Sequence, residues 1–81
     1  MYLKIISPEK IIFESKITKV TLPGEEGAFQ VLKNHAPIIS FLTEGSIKGV
    51  ADNKSFSFKI VNGIVKVNDN NILALIDEES K

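Results

Sequence analysis

A chain of 81 residues has room for one domain, which at this size buries only about 60 to 65% of its unfolded surface, so its margin of stability is modest. Apolar residues make up 43% and charged ones 25%, a globular balance that excludes intrinsic disorder, and the lack of cysteine excludes disulfides and thiolate metal sites. Ten lysines match ten carboxylates and there is no arginine, so the chain has neither the net field nor the guanidinium fork that nucleic-acid and phosphate sites use.

Apolar residues recur mostly at alternate positions, and clusters of Gly, Asn and Asp interrupt them at short intervals, which predicts an all-β sandwich or barrel. Tyr2 to Ser7 is the first strand and stops at Pro8; this N-terminus lacks the apolar core of a secretory signal. Ile11 to Phe13 follows, and then Lys16 to Leu22 alternates apolar and polar residues until Pro23-Gly24 closes it. Gly27 to Leu32 is the fourth strand. Ile38 to Leu42 is the fifth, entered through Pro37, which forces Ala36 out of the helical region. Gly45 to Ala51 and Lys54 to Val61 flank Asp52-Asn53 as a hairpin, with Phe56 and Phe58 on a shared face. Asn62-Gly63 predicts a further turn into Ile64 to Val67, and Asn68-Asp69-Asn70 one into Ile72 to Ile76. The domain is expected to span residues 1–77, with 78–81 as a frayed polar tail. No apolar run approaches the roughly twenty residues that a membrane-spanning helix needs.

Candidate chemistry is sparse. His35 is the single imidazole, and no His-x-x-x-His, Glu-x-x-His or calcium-loop spacing accompanies it, so no metal site is expected. A triad of Ser40, His35 and a distant Asp would lack a nucleophile elbow; His35 reads better as a loop histidine whose ring nitrogen satisfies a nearby carbonyl. Glu25 and Glu26 are adjacent in an exposed turn, with nothing to drive their acidities apart. They read as a solvated acidic tip that could steer docking onto a polar or basic loop. Phe29, Phe41, Phe56 and Phe58 are expected in the core. The exception is the cluster Ile38, Ile39, Phe41 and Leu42, whose successive large side chains must point to both faces of a strand, so that one side needs a cover supplied by a partner.

The stretch from Pro23 to Pro37 joins an acidic glycine turn, a short apolar strand and a His35-Ala36-Pro37 loop, and is followed by an apolar strand and Gly45-Ser46-Ile47-Lys48. Leu3, Ile5, Ser7, Pro8, Phe13, Glu14 and Ser15 precede it; Asn62 to Val67 and Leu75-Ile76-Asp77 come later. In this order the motifs resemble the epsilon subunit of F-type ATP synthases over almost the whole chain. The resemblance implies a flattened β-sandwich of about ten short strands in two five-stranded sheets. It implies a rotor subunit at the foot of the central stalk with no cofactor and no catalysis of its own. It also implies a peripheral place on the cytoplasmic face of the bacterial inner membrane, with the gamma subunit on one side, the polar loops of the c-ring on the other, and no homo-oligomer required. By position, Glu25, Glu26, Gly27, Ala28 and Gln30 would face the c-ring, while His35, Ile38, Ile39, Ser40, Phe41 and Leu42 would face gamma.

The sequence also departs from that pattern. Ala28 stands where many relatives are acidic, Lys33-Asn34 where Pro-Gly is common, and Lys48 where arginine is frequent. The helical hairpin that typically follows the sandwich, and that can inhibit ATP hydrolysis, is not expected here. Two rival readings remain open at this point: a free-standing sandwich that binds a peptide or glycan through the Ile38 to Leu42 segment, and a small hydrolase built on His35.

Overall fold

The structure is a computed structural model that describes residues 1–78. Among these residues every regular element is a strand: β1 (Tyr2–Ile6), β2 (Ile11–Lys16), β3 (Lys19–Gly24), β4 (Gly27–Val31), β5 (Ile38–Leu42), β6 (Gly45–Ala51), β7 (Lys54–Asn68) and β8 (Asn71–Glu78). The hydrogen-bonded order is β2-β1-β8-β7-β5-β3-β4, with β6 bridging β3 and β7. Pairing is antiparallel throughout except between β1 and β8. The long β7 belongs to both layers: its N-terminal half pairs with β6, its C-terminal half with β5 and β8, and its register with β8 slips between Ile60 and Asn62. One layer is therefore β2-β1-β8-β7-β5 and the other β4-β3-β6-β7. The shortest extent of the molecule, 19 Å, is what two sheets packed about 10 Å apart require once outward side chains are added.

The sandwich expected from the sequence is present, with eight strands in place of about ten. The difference lies mainly at Asn62-Gly63, which does not turn. A Cβ on Gly63 would lie 2.6 Å from the Leu75 carbonyl oxygen and 2.9 Å from Ile76 Cγ2, so glycine serves there to let β7 press against β8 beside the register slip. The turns that do form carry two successive left-handed residues, Asp52-Asn53 (φ 51° and 62°) and Asp69-Asn70 (φ 51° and 63°). Each pair closes a two-residue hairpin whose twist matches that of its strands. At the C-terminus, Asp77 and Glu78 are both part of β8, and Glu78 pairs with Ile60. The rest of the expected tail, residues 79–81, lies outside the described residues.

Strand alternation sends one set of side chains inward. Leu3 and Ile5 of β1, Val65 and Val67 of β7 and Ile72 and Ala74 of β8 meet Val20 and Leu22 of β3 and Ile47 of β6 across the interior. Each large aliphatic side chain buried in this way contributes about 1.5 to 3 kcal/mol relative to exposure. Phe13, Phe56 and Phe58 cluster where β2 of one layer meets the start of β7 in the other, with ring centroids 4.6, 5.2 and 5.9 Å apart, and partly buried Phe29 packs against the core. Phe41 is different. It is 62% exposed, because β5 turns its odd-numbered residues outward.

Candidate docking surface

The two outer faces differ in chemistry. Registered cross-strand partners share a face, so the ladder Phe41–Ile64–Leu75–Ile6 forms one apolar row across β5, β7, β8 and β1 and reaches Ile11 of β2 beside a register slip. Phe41, Leu75 and Ile11 in this row are 62%, 45% and 52% exposed. Ile39, 67% exposed, begins the neighbouring row, which continues through Lys66 and Leu73 to Lys4. On the opposite layer the corresponding row, Gln30–Thr21–Lys48–Ser57 across β4, β3, β6 and β7, is entirely polar. Water satisfies the second face, while the first leaves contiguous apolar area uncovered.

The acidic turn sits at one end of this apolar face. Gly24 and Gly27 pair directly, so Glu25 and Glu26 form the whole connection between β3 and β4, with Gly27 at φ 125° where a side chain would be strained. The Glu25 N–H donates to the Phe41 carbonyl at 3.0 Å, and the Thr43 N–H to the Pro23 carbonyl at 2.8 Å. These bonds fix the turn to the end of β5. Between turn and strand lies an open groove of about 500 Å³ lined by Glu25, Glu26, Ala28, Phe29, Ile39 and Phe41 among others. The fold thus brings residues that the sequence assigned to two separate surfaces into one concavity. Other members of those sets do not join it. Leu42 is 2% exposed and in the core, Ile38 packs against the core, and Gln30 belongs to the polar face, whereas half-buried Ser40 does line the groove.

His35 lies at the other end of β5, half-buried in the loop between β4 and β5. Its N–H donates to the Leu32 carbonyl at 3.1 Å, and its ring Nδ1 donates to the Ala36 carbonyl at 2.7 Å. The loop is joined to the β7–β8 turn through Asn34: its N–H donates to Asn70 Oδ1 at 2.6 Å, and Asn70 Nδ2 donates back to Asn34 Oδ1 at 3.2 Å. Among the described residues, no group of three or more His, Asp or Glu side chains is placed to hold a metal ion, and no helix is long and apolar enough to cross a membrane. Sequence reasoning missed Ile6, Ile11, Ile64 and Leu75, because only the register between distant strands reveals that they line up with Phe41. It also missed the Asn34–Asn70 pair, although the left-handed preference of both residues was a usable signal.

A family model described as the β-sandwich domain of the ATP synthase delta/epsilon chain matches residues 1–79. The chain belongs to this family. The ATP synthase epsilon chain of Chlorobium limicola is 34% identical over 79 residues, covering 96% of this chain and 90% of that one. That of Chlorobaculum tepidum is 37% identical with the same coverage, and that of Nitratiruptor is 42% identical over 76 residues, covering 93% of this chain and 59% of its own length. A chain in the central stalk and c-ring structure of the Tetrahymena thermophila mitochondrial ATP synthase shares the fold with a TM-score of 0.80 at 20% identity, covering 96% of this chain and 63% of that one. One in the Euglena gracilis mitochondrial ATP synthase reaches 0.86 at 22% identity, covering 94% and 49% respectively. The present chain therefore spans about half to two thirds of those two chains. The family expected from the motif order is borne out, and the two rival readings fall behind it.

Proposed function

We propose that the chain links the gamma subunit to the c-ring of an F-type ATP synthase and so couples ion translocation to ATP synthesis. As a member of the epsilon family it is a non-catalytic subunit of the central stalk, within a complex that is membrane-associated. The observation that carries the finer reading is the contrast between the outer faces: a contiguous apolar row on one and a polar row on the other. An apolar face of this kind favours a large protein partner held for the life of the complex, for which gamma is the natural occupant. On this reading Ile39 and Phe41 contact gamma together with Ile64 and Leu75, and His35 contacts it at the loop end.

Glu25, Glu26, Gly27 and Ala28 project beyond this face at the end away from His35, where exposed carboxylates suit a polar or basic c-ring loop. On this reading the subunit sits on the cytoplasmic face of the bacterial inner membrane. Its physical task is stiffness, because a close-packed interior transmits strain between partners at opposite ends. The test is reconstitution: synthase complexes stripped of epsilon should regain proton-coupled ATP synthesis when the purified chain is added and binds gamma in equal amounts. A folded chain that neither binds gamma nor restores synthesis would overturn the proposal.

A further inference from the structure

We infer that the Asn34–Asn70 pair is a positioning clasp that holds the His35 loop in one geometry for its partner, a role that rests on the stalk-docking reading above. Both residues lie in the left-handed region, with φ 67° at Asn34 and 63° at Asn70. Glycine occupies that region without strain, and asparagine is the next best tolerated residue. Asparagine adds a carboxamide, and here both ends of one carboxamide are used. Asn70 Oδ1 accepts the Asn34 N–H at 2.6 Å while Asn70 Nδ2 donates to Asn34 Oδ1 at 3.2 Å. The orientation is determined by chemistry, since the reversed amide would set an NH₂ against the Asn34 N–H.

The far side of the clasp is itself anchored. The Asn70 carbonyl accepts the Tyr2 N–H at 2.9 Å, at the start of the parallel pairing of β1 with β8. The loop's other hydrogen bonds, from the His35 N–H to Leu32 and from Nδ1 to Ala36, stay within the loop or its strand junction and cannot fix its position on the body. Among the described residues, Asn70 is the residue outside the loop that hydrogen-bonds to residues 33–36. The direction of His35 and Pro37 is therefore set through Asn34 by the side chain of Asn70, 36 positions from Asn34 in sequence.

Glycine substitutions separate the clasp from the turn conformation, because they keep left-handed backbone unstrained while removing the carboxamide. Asn70→Gly removes both bonds and Asn34→Gly only one. Asn34→Asp keeps both, since the carboxylate still accepts from Asn70 Nδ2 and aspartate also tolerates this backbone. Amide hydrogen exchange and His35 ring NMR on the purified chain form the first arm. Asn70→Gly should speed exchange at Asn34 by about fivefold or more, the factor that the loss of one exposed hydrogen bond sets, and broaden or shift the His35 ring signals, with Val65 and Ile72 unchanged. The double glycine variant should be no worse than Asn70→Gly, and Asn34→Asp should match the parent. Unchanged exchange at Asn34 and unchanged ring signals in Asn70→Gly would overturn the clasp.

The second arm is affinity for epsilon-depleted synthase complexes. Asn70→Gly should dock several-fold more weakly than Asn34→Asp at equal thermal stability. A loosened loop with unaltered affinity would overturn the positioning role. If the parent chain itself does not dock, the functional reading fails, and the exchange arm still decides the clasp.

Discussion

The two outer faces of this sandwich are built from the same kind of strand, yet one carries Phe41, Ile64, Leu75 and Ile6 in register and the other Gln30, Thr21, Lys48 and Ser57. Nothing in the fold requires this asymmetry, because the core is already closed by the inward residues of both layers. Outward apolar residues in a small sandwich therefore carry information about partners, while inward ones carry information about stability. The boundary between these roles runs between adjacent residues of β5: Phe41 is 62% exposed and Leu42 2%.

The sharpest way to break that comparison is at this boundary. Leu42→Ala should lower unfolding free energy by about 2 to 5 kcal/mol, because it empties a filled core position. Phe41→Ala, one residue away, should change it by no more than about 1 kcal/mol. Urea titration of the two variants would show it; equal losses would mean that β5 does not alternate as described. Gly63→Ala comes next, at about 1 to 3 kcal/mol, since the added methyl meets β8 backbone at the shared strand. A neutral result there would restore Asn62-Gly63 to the turn that its sequence suggests.

A smaller effect is expected at the acidic turn. Replacing Glu25 and Glu26 by lysine should leave the fold within about 0.5 kcal/mol of the parent, because both are exposed. It should slow assembly onto the c-ring in a manner that fades as salt is raised. Salt-independent assembly rates would remove the acidic tip from the docking account. The smallest effect concerns Tyr2, the single tyrosine, whose hydroxyl donates to Glu14 Oε2 at 2.6 Å between β1 and β2. That hydrogen bond first, then partial desolvation and the Glu14 charge, raise the phenol above its ordinary value of 10.0. A raised value means that the associated stability is complete below pH 10 and is lost as pH climbs through the folded-state value. Ultraviolet titration should place the phenol above 10, and Glu14→Gln should bring it back toward the ordinary value; the same midpoint in both proteins would contradict the assignment.

Much of the architecture was legible in the sequence because its signals are local. Alternation gave the strands, and Asp52-Asn53 and Asp69-Asn70 announced their hairpins through residues that tolerate left-handed backbone. Asn62-Gly63 carried the same local signal with a different cause: close approach of two strands, which depends on residues not yet met along the chain. The candidate surface was half legible for the same reason. Runs of apolar residues in β5 pointed to a covered face, and the motif order pointed to the family, but the sequence could not separate Ile39 and Phe41 from Ile38 and Leu42 without the strand's orientation. Nor could it place the acidic turn beside Phe41 and His35 at the far end, since that follows from pairing Gly24 with Leu42 and Ile38 with Val67.

That one face of the sandwich is adhesive and the other is not can be checked by binding to purified gamma. The comparison is between two double variants of matched thermal stability, Phe41→Asp with Leu75→Asp on the apolar face and Lys48→Asp with Ser57→Asp on the polar face. The first pair should weaken the dissociation constant by about a hundredfold or more, and the second by less than about threefold. Equal losses from both pairs, or a loss confined to the polar face, would contradict it.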